Sequence, residues 1–257
     1  MSLIHLLIPT LLIPLLHASA TPYLPALEAT VRITGGSASG TAFIVATGST
    51  PPHLLVTAAH VFHDIKSESA TTVLRSTSPD GHSTRNEISL PIRSDGQPLW
   101  QKHPELDIAT IPITLPETTA IKPFPLDQIA TTQHTTQNKI HVGQGICIPG
   151  YPAQLESTPA GWAVLRRGSI ASHPLTPLEK HQTFLVDSPS FGGESGAPVV
   201  AWVDGSPLVI GIITSMQRQT DKSKTPFEEK TTHTPLTLGI AVQAPYIRQT
   251  ITSYLEK

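Results

Sequence analysis

Ser190-Phe191-Gly192-Gly193-Glu194-Ser195-Gly196-Ala197-Pro198 is the stretch on which the reading of this chain turns. Glycines on both sides of one serine allow a tight turn, a close approach of substrate to the main chain, and bare N–H groups converging on one point. A serine hydroxyl is a weak nucleophile at its own pKa, so such a loop needs a histidine to take its proton and a carboxylate to orient that histidine. Both candidates lie upstream. His60 follows the apolar run Leu54-Leu55-Val56-Thr57-Ala58-Ala59, and Asp107 opens another, Ile108-Ala109-Thr110-Ile111. Downstream of the loop, Val199 to Ile210 reads as a hairpin closing on Asp204-Gly205.

Taken in order, Thr57-Ala58-Ala59-His60, then Asp107-Ile108-Ala109, then Gly193-Glu194-Ser195-Gly196-Ala197-Pro198 resemble the chymotrypsin-like (trypsin-like) serine peptidases. Within that family the chain is most similar to the disulfide-poor bacterial branch that includes the HtrA protease domains. Gly40-Thr41-Ala42-Phe43-Ile44-Val45, Gly150-Tyr151-Pro152, Gly211-Ile212-Ile213 and Gly239-Ile240-Ala241-Val242 add to the resemblance, which covers about residues 29 to 250. It implies an all-β fold of two antiparallel six-stranded β-barrels with a C-terminal helix, without the PDZ domain many HtrA relatives append. It also implies roles: His60 as general base, Asp107 as its orienting partner, Ser195 as nucleophile, and the N–H groups of Gly193 and Ser195 as the oxyanion hole. No cofactor or metal is expected, and the substrate is a polypeptide.

The composition agrees with such a fold. Charged residues make up 14% of the 257, against about a quarter in average domains, and the difference goes to Ser, Thr and 25 prolines, which favour strands and turns. A net charge of −2 gives no reason to expect nucleic acid or an anionic membrane as partner. Cys147 is the single cysteine, so no intramolecular disulfide can form; within the apolar run Gly145-Ile146-Cys147-Ile148-Pro149 it reads as a buried, inert thiol. Residues 3–16 are an apolar block followed by Ala18-Ser19-Ala20, the pattern of a signal peptide cleaved after Ala20. A secreted or periplasmic protein with no membrane contact after cleavage is therefore expected. Whether a propeptide between Thr21 and Glu28 is also removed stays open, as does the oligomeric state.

Along the chain, the pattern places an N-terminal barrel at about 29–115, a Thr-, Pro- and Gln-rich linker at about 116–138, a C-terminal barrel at about 139–243 and a helix at about 245–256. Ile247, Ile251, Tyr254 and Leu255 share one face of that helix. Residues 217–236, polar and of mixed charge, read as a solvated loop beside the cleft. Arg32-Ile33-Thr34-Gly35-Gly36 has the look of a zymogen cleavage site, but Gly40 to Val45 follows too closely for that reading.

Three rival chemistries fit the residues less well. An α/β-hydrolase would need Gly-x-Ser-x-Gly and a later histidine, and Ala197 replaces the last glycine. His60 and His63 with Asp64 are a weak metal candidate, without His-Glu-x-x-His. The third is a catalytically silent protease-like protein kept for binding or regulation, against which all three catalytic residue types stand. Two departures from the family limit what carries over. Glu194 stands where zymogen-derived relatives have an aspartate that pairs with a freshly cut N-terminus, so a site formed without that ion pair, or one ordered by substrate, is expected. Pro189 stands where trypsin has its selecting aspartate, so cleavage after Lys or Arg is not supported. With Ser190 on one wall and Thr214, Ser215 and Met216 on the other, a small or medium apolar P1 residue is expected.

Overall fold

The computed structural model describes residues 22–50, 52–78, 80–224 and 228–257. The leader expected at 1–20, with its cleavage point after Ala20, lies outside the described residues. The chain opens with a short helix α1 (Leu24–Ala29), then β1 (Thr30–Gly35), β2 (Ala38–Ala46), β3 (His53–Thr57), a single helical turn and a half α2 (Ala59–Asp64), β4 (Ser69–Thr77) and β5 (Ser83–Pro91). A two-residue ribbon follows, β6 (Arg93–Ser94) with β7 (Gln97–Pro98), then β8 (Gln101–Lys102), β9 (Ala109–Pro112), β10 (Phe124–Pro125) and α3 (Thr132–Thr136).

The first sheet runs β5-β4-β1-β2-β3-β9-β8, with β10 lying parallel to β2. Short β8 and β10 enlarge the expected six strands to eight, and among the described residues the ladder runs as an open path. β2 and β3 read as nearly unbroken apolar runs because both their faces are buried. Ala42, Ile44 and Leu55 face the core of the first half, with Val31, Ile33, Phe62, Leu74 and Ile111. Phe43, Val45, Leu54 and Val56 point the other way, into a second core shared with the C-terminal half. That shared core joins the two halves. Arg32 and Ile33 lie inside β1, where Ile33 sits opposite Gly40 on one side and Thr72 on the other, so the cleavage-like sequence is the middle of a paired strand.

The second half contains β11 (Gly145–Gly150), β12 (Val164–Ile170), β13 (Thr183–Asp187), β14 (Pro198–Val203), β15 (Ser206–Lys224), β16 (Glu229–Gln243) and helix α4 (Ala244–Leu255). These strands form a closed six-stranded barrel in the order β11-β12-β13-β16-β15-β14, with β14 returning to β11 where Ala201 faces Ile146. Asp204 and Gly205, both at positive φ, make the tight turn between β14 and β15. Pro245 lies in the first turn of α4, which buries Ala244, Ile247, Thr250 and Ile251.

One expectation fails. Residues 217–224 and 229–236 do not read as loop: β15 and β16 continue as a two-stranded ribbon well past the barrel, with Arg218 opposite Pro235, Thr220 opposite His233 and Lys222 opposite Thr231. Its threonines are β-branched and suit extended backbone, while its polarity suits the solvent on both faces. Polarity alone could not tell the two apart. At the other end, α1 is built into the fold rather than trailing from it: Ala26, Glu28 and Ala29 are buried, and the Tyr23 ring packs 4.9 Å from that of Trp202.

Candidate active site

The fold brings His60 and Ser195 to one cleft and seats Asp107 against the His60 ring. His60 is the second residue of α2, the turn that caps β3. Asp107 precedes β9, which is paired with β3, so the pairing of Thr57 with Ala109 sets the two side chains side by side. The carboxylate grips the histidine twice: Oδ2 lies 2.6 Å from His60 Nδ1, and Oδ1 accepts the His60 backbone N–H at 2.9 Å. With Nδ1 held as the donor, Nε2 is left as the free nitrogen of the ring. The bond to Asp107 raises the pKa of His60 above 6.5, outweighing the opposing effect of burial. Burial works against the Asp107 charge, but the bonds from the His60 ring and backbone prevail and hold it below the usual carboxylate range.

Ser195 and His60 line the same cleft, of about 390 Å³, together with Ser190, Phe191, Gly192, Ile213, Thr214, Ser215, Met216 and Arg218. The loop carrying Ser195 is fastened from three sides. Thr41 N–H donates to the Ser195 carbonyl at 2.9 Å, Gly196 N–H to Ile213 O at 2.7 Å, and Thr41 Oγ1 to Gly193 O at 2.7 Å. Gly193 has φ +93°, and a Cβ there would strike the carbonyl oxygen of Tyr151; at Gly196, φ +90°, a Cβ would strike that of Thr41. Glycine is required at both. The Gly192 carbonyl accepts a bond from Ala153 N–H at 2.7 Å, and because C=O and N–H of a trans peptide point in opposite directions, the Gly193 N–H is turned away from that anchor. Among the described residues neither Gly193 N–H nor Ser195 N–H has an acceptor within the protein.

Beneath the loop, the Glu194 side chain points inward and is 1% exposed. Its Oε2 accepts Phe191 N–H at 2.7 Å and lies 2.5 Å from Nη2 of Arg166 on β12. Burial pushes the Glu194 carboxyl above the usual range, countered by those same two donors.

Of the pocket residues expected from sequence, Ser190, Thr214, Ser215 and Met216 line the cleft and Pro189 does not. Burial alternates from the end of β13 onward, covering Val186, Ser188 and Ser190 and leaving Asp187 and Pro189 exposed. The sequence reading passed over Arg218, Phe191 and Ile213 in the cleft, Arg166 below it, and His103. The last is buried, and its Nδ1 accepts the N–H groups of Glu105 and Leu106, curling the segment that presents Asp107. No local signal marked these residues. The proposed metal trio is split: His60 is engaged by Asp107, while His63 and Asp64 are exposed and 3.6 Å apart.

A closed six-stranded barrel packed on a second β-sheet, with a serine loop, a histidine and an aspartate at their junction, defines the chymotrypsin-like serine endopeptidases. The chain belongs to that class through its family: the model of the trypsin-like peptidase domain matches residues 40–212, well over half of the chain. Among solved structures it is similar in fold to Rv3671c of M. tuberculosis H37Rv. The inactive form of the Rv3671c protease is 14% identical with TM-score 0.52, covering 91% of this chain and 92% of that one; a serine-to-alanine mutant, also inactive form, is 15% identical with TM-score 0.52, covering 91% and 90%. No curated protein matches the sequence significantly.

Proposed function

We propose that the protein is an exported serine endopeptidase in which Ser195, His60 and Asp107 work as one catalytic unit. Ser195 Oγ attacks the carbonyl carbon of the scissile peptide while its proton passes to His60 Nε2. The oxyanion that forms is met by the N–H groups of Gly193 and Ser195, each such donor being worth about 3 kcal/mol in the transition state. His60 then gives the proton to the departing amine, leaving an acyl ester on Ser195. Water, deprotonated by the same ring, attacks that ester and releases the carboxylic acid. Asp107 stays ionised throughout, fixing the tautomer and stabilising the imidazolium.

The observation that carries this reading is the double grip of Asp107 on the ring and backbone of His60, with the ring lining the cleft of Ser195. Export rests on the leader pattern; among the described residues, no helix is long and apolar enough to cross a membrane. A fluorophosphonate probe tests the chemistry: one adduct mapped to Ser195 and abolished by Ser195→Ala is expected. Absence of labelling in the native protein, or labelling that survives the substitution, would refute it. N-terminal sequencing of the exported form should begin at Thr21.

A further inference from the structure

We propose that His103 is a positioning residue for catalysis: its buried ring, tied to Gln249 of the C-terminal helix, moulds the short loop that aims Asp107 at His60. The inference rests on the reading of Asp107 as the catalytic partner of His60 and assigns that carboxylate its support.

Asp107 must point both oxygens at one neighbour, Oδ2 at the His60 ring and Oδ1 at the His60 backbone N–H. So short a side chain cannot correct a misplaced backbone, and its aim is therefore set by the loop between β8 and β9. That loop is closed on itself. His103 N–H donates to Ile108 O at 2.9 Å across its mouth, and Ile108 N–H donates to Leu106 O at 2.9 Å within it. The second bond spans two residues and makes a γ-turn with Asp107 at its centre.

The His103 imidazole organises the rest of the loop. The residue is 4% exposed. Its Nδ1 accepts two main-chain donors, Glu105 N–H at 3.2 Å and Leu106 N–H at 3.0 Å, and those peptides lead straight into Asp107. A ring whose Nδ1 accepts carries its proton on Nε2, and that nitrogen meets Gln249 Oε1 of α4 at 3.2 Å. The Tyr246 ring, one turn earlier on the same helix, stands edge-on with 5.6 Å between centres. One imidazole thus grips the loop on one edge and the helix on the other.

The helix is itself fastened down. Arg248 Nη1 donates to Leu126 O and Ile129 O, and Ile247 and Ile251 are buried in the shared core. Ser195 stands between strands of the C-terminal barrel, His60 and Asp107 beside strands of the first sheet. Through Gln249 and His103, the half that carries the nucleophile braces the half that carries its base.

The test is kinetic, on the full chain, with rates expressed per site labelled to completion by the fluorophosphonate. His103→Leu should lower kcat by about 10²-fold, the cost of a displacement of about 1 Å at a catalytic group, while KM stays within about threefold. The midpoint of the pH dependence of kcat/KM should fall toward the ordinary 6.5 of histidine, because the bond from Asp107 is what chiefly raises it. His103→Asn, whose side-chain oxygen can accept the N–H two residues on, should recover at least tenfold of the loss and restore the midpoint. Both variants lack the imidazole, so a difference between them reports the loop and not the titration of His103. Gln249→Leu should lower kcat by about threefold to tenfold and move the midpoint the same way; added to His103→Leu it should cost nothing more, since the bond is already gone. Should His103→Leu not fold, Gln249→Leu decides, and wild-type kcat with a wild-type midpoint there would overturn the proposal. So would a kcat within about threefold of wild type and an unmoved midpoint in His103→Leu, even with a lowered Tm, or equal rates in His103→Leu and His103→Asn. Failure of the wild-type protein to label at Ser195 would sink the underlying reading instead, so the two failures are distinguishable.

Discussion

Arg75 is fully buried, bonded to main-chain carbonyls, and its replacement tests how the two halves are held together. From β4 its guanidinium donates to four main-chain carbonyls: Nη1 to Thr30 at 3.0 Å and Gly161 at 3.3 Å, Nη2 to Leu27 at 3.0 Å and Glu28 at 2.9 Å. Three of these belong to the end of α1 and the start of β1, where the helix dipole favours a cation. The fourth belongs to the C-terminal half, and the Trp162 ring stacks 4.3 Å from the guanidinium carbon. In Arg75→Met four hydrogen bonds from a charged donor are lost, each worth about 1.5–3 kcal/mol, although Gly161 O keeps the Tyr151 hydroxyl and Leu27 O the Thr30 N–H. Set against this is the several kcal/mol regained by no longer burying a cation, leaving a net loss of about 3–5 kcal/mol. For a domain of this size each kcal/mol moves Tm by about 2–4 °C, so the drop should be roughly 6–20 °C. Arg75→Lys should fall between, since one ammonium cannot span both clusters of carbonyls. Differential scanning calorimetry at neutral pH measures it. A Tm for Arg75→Met within about 3 °C of wild type would refute the reasoning, because the bonds would then contribute no more than the burial costs.

The remaining predictions concern the site. Activity needs a neutral His60 and its pKa is raised, so kcat/KM should climb with pH through a midpoint above 6.5; Asp107→Asn should move that midpoint down and cut kcat by about 10⁴-fold, as loss of the correct tautomer does in such triads. The pair is also linked to stability. The depressed Asp107 contributes above its unfolded pKa and loses the contribution as pH falls through its folded one, while the raised His60 contributes below 6.5 and loses it as pH rises through its folded one. The denaturation midpoint of Asp107→Asn should therefore lag wild type most at mildly acidic pH and least at strongly acid pH. Gly193→Ala must move the Tyr151 carbonyl or its own φ, and should lower kcat by about 10²-fold with little change in substrate binding. Cys147 is buried and its thiol is pushed up to about 12, so it should not react with a disulfide reagent at pH 8 until the protein is denatured.

What could be read from the sequence, and what could not, divides along a physical line. The strands around His60, Asp107 and Ser195 were legible because apolar periodicity and glycine are local signals: Leu54 to Thr57, the Asp204-Gly205 turn and the helix from Ala244 all lie close to where the pattern puts them. Pro189 was placed by counting six residues back from Ser195. Counting carries no information about which side of an extended chain faces the cleft, and the alternation of burial from Val186 to Ser190 decides that instead. The ribbon of residues 217–224 and 229–236 was lost for a related reason, since a strand exposed on both faces has no apolar period to detect.

The arginines were illegible for a deeper reason. In sequence, Arg75 and Arg166 look like any cation on a half-polar strand, and nothing nearby announces that their acceptors come from residues as far off as Gly161 or Glu194. Only the fold collects those acceptors, and it collects them around one residue. Tyr151 donates its hydroxyl to Gly161 O, an acceptor it shares with Arg75, while its backbone carbonyl bounds the turn at Gly193 and its N–H is bonded to Thr41 Oγ1, which in turn holds Gly193 O. The buried guanidinium that closes the two halves and the one beneath the oxyanion loop thus bear on opposite ends of the same short path. If that path is rigid, Tyr151→Phe, which deletes only the hydroxyl, should lower stability by about 1 kcal/mol and leave kcat unchanged, because the contacts to Gly193 and Thr41 run through its backbone.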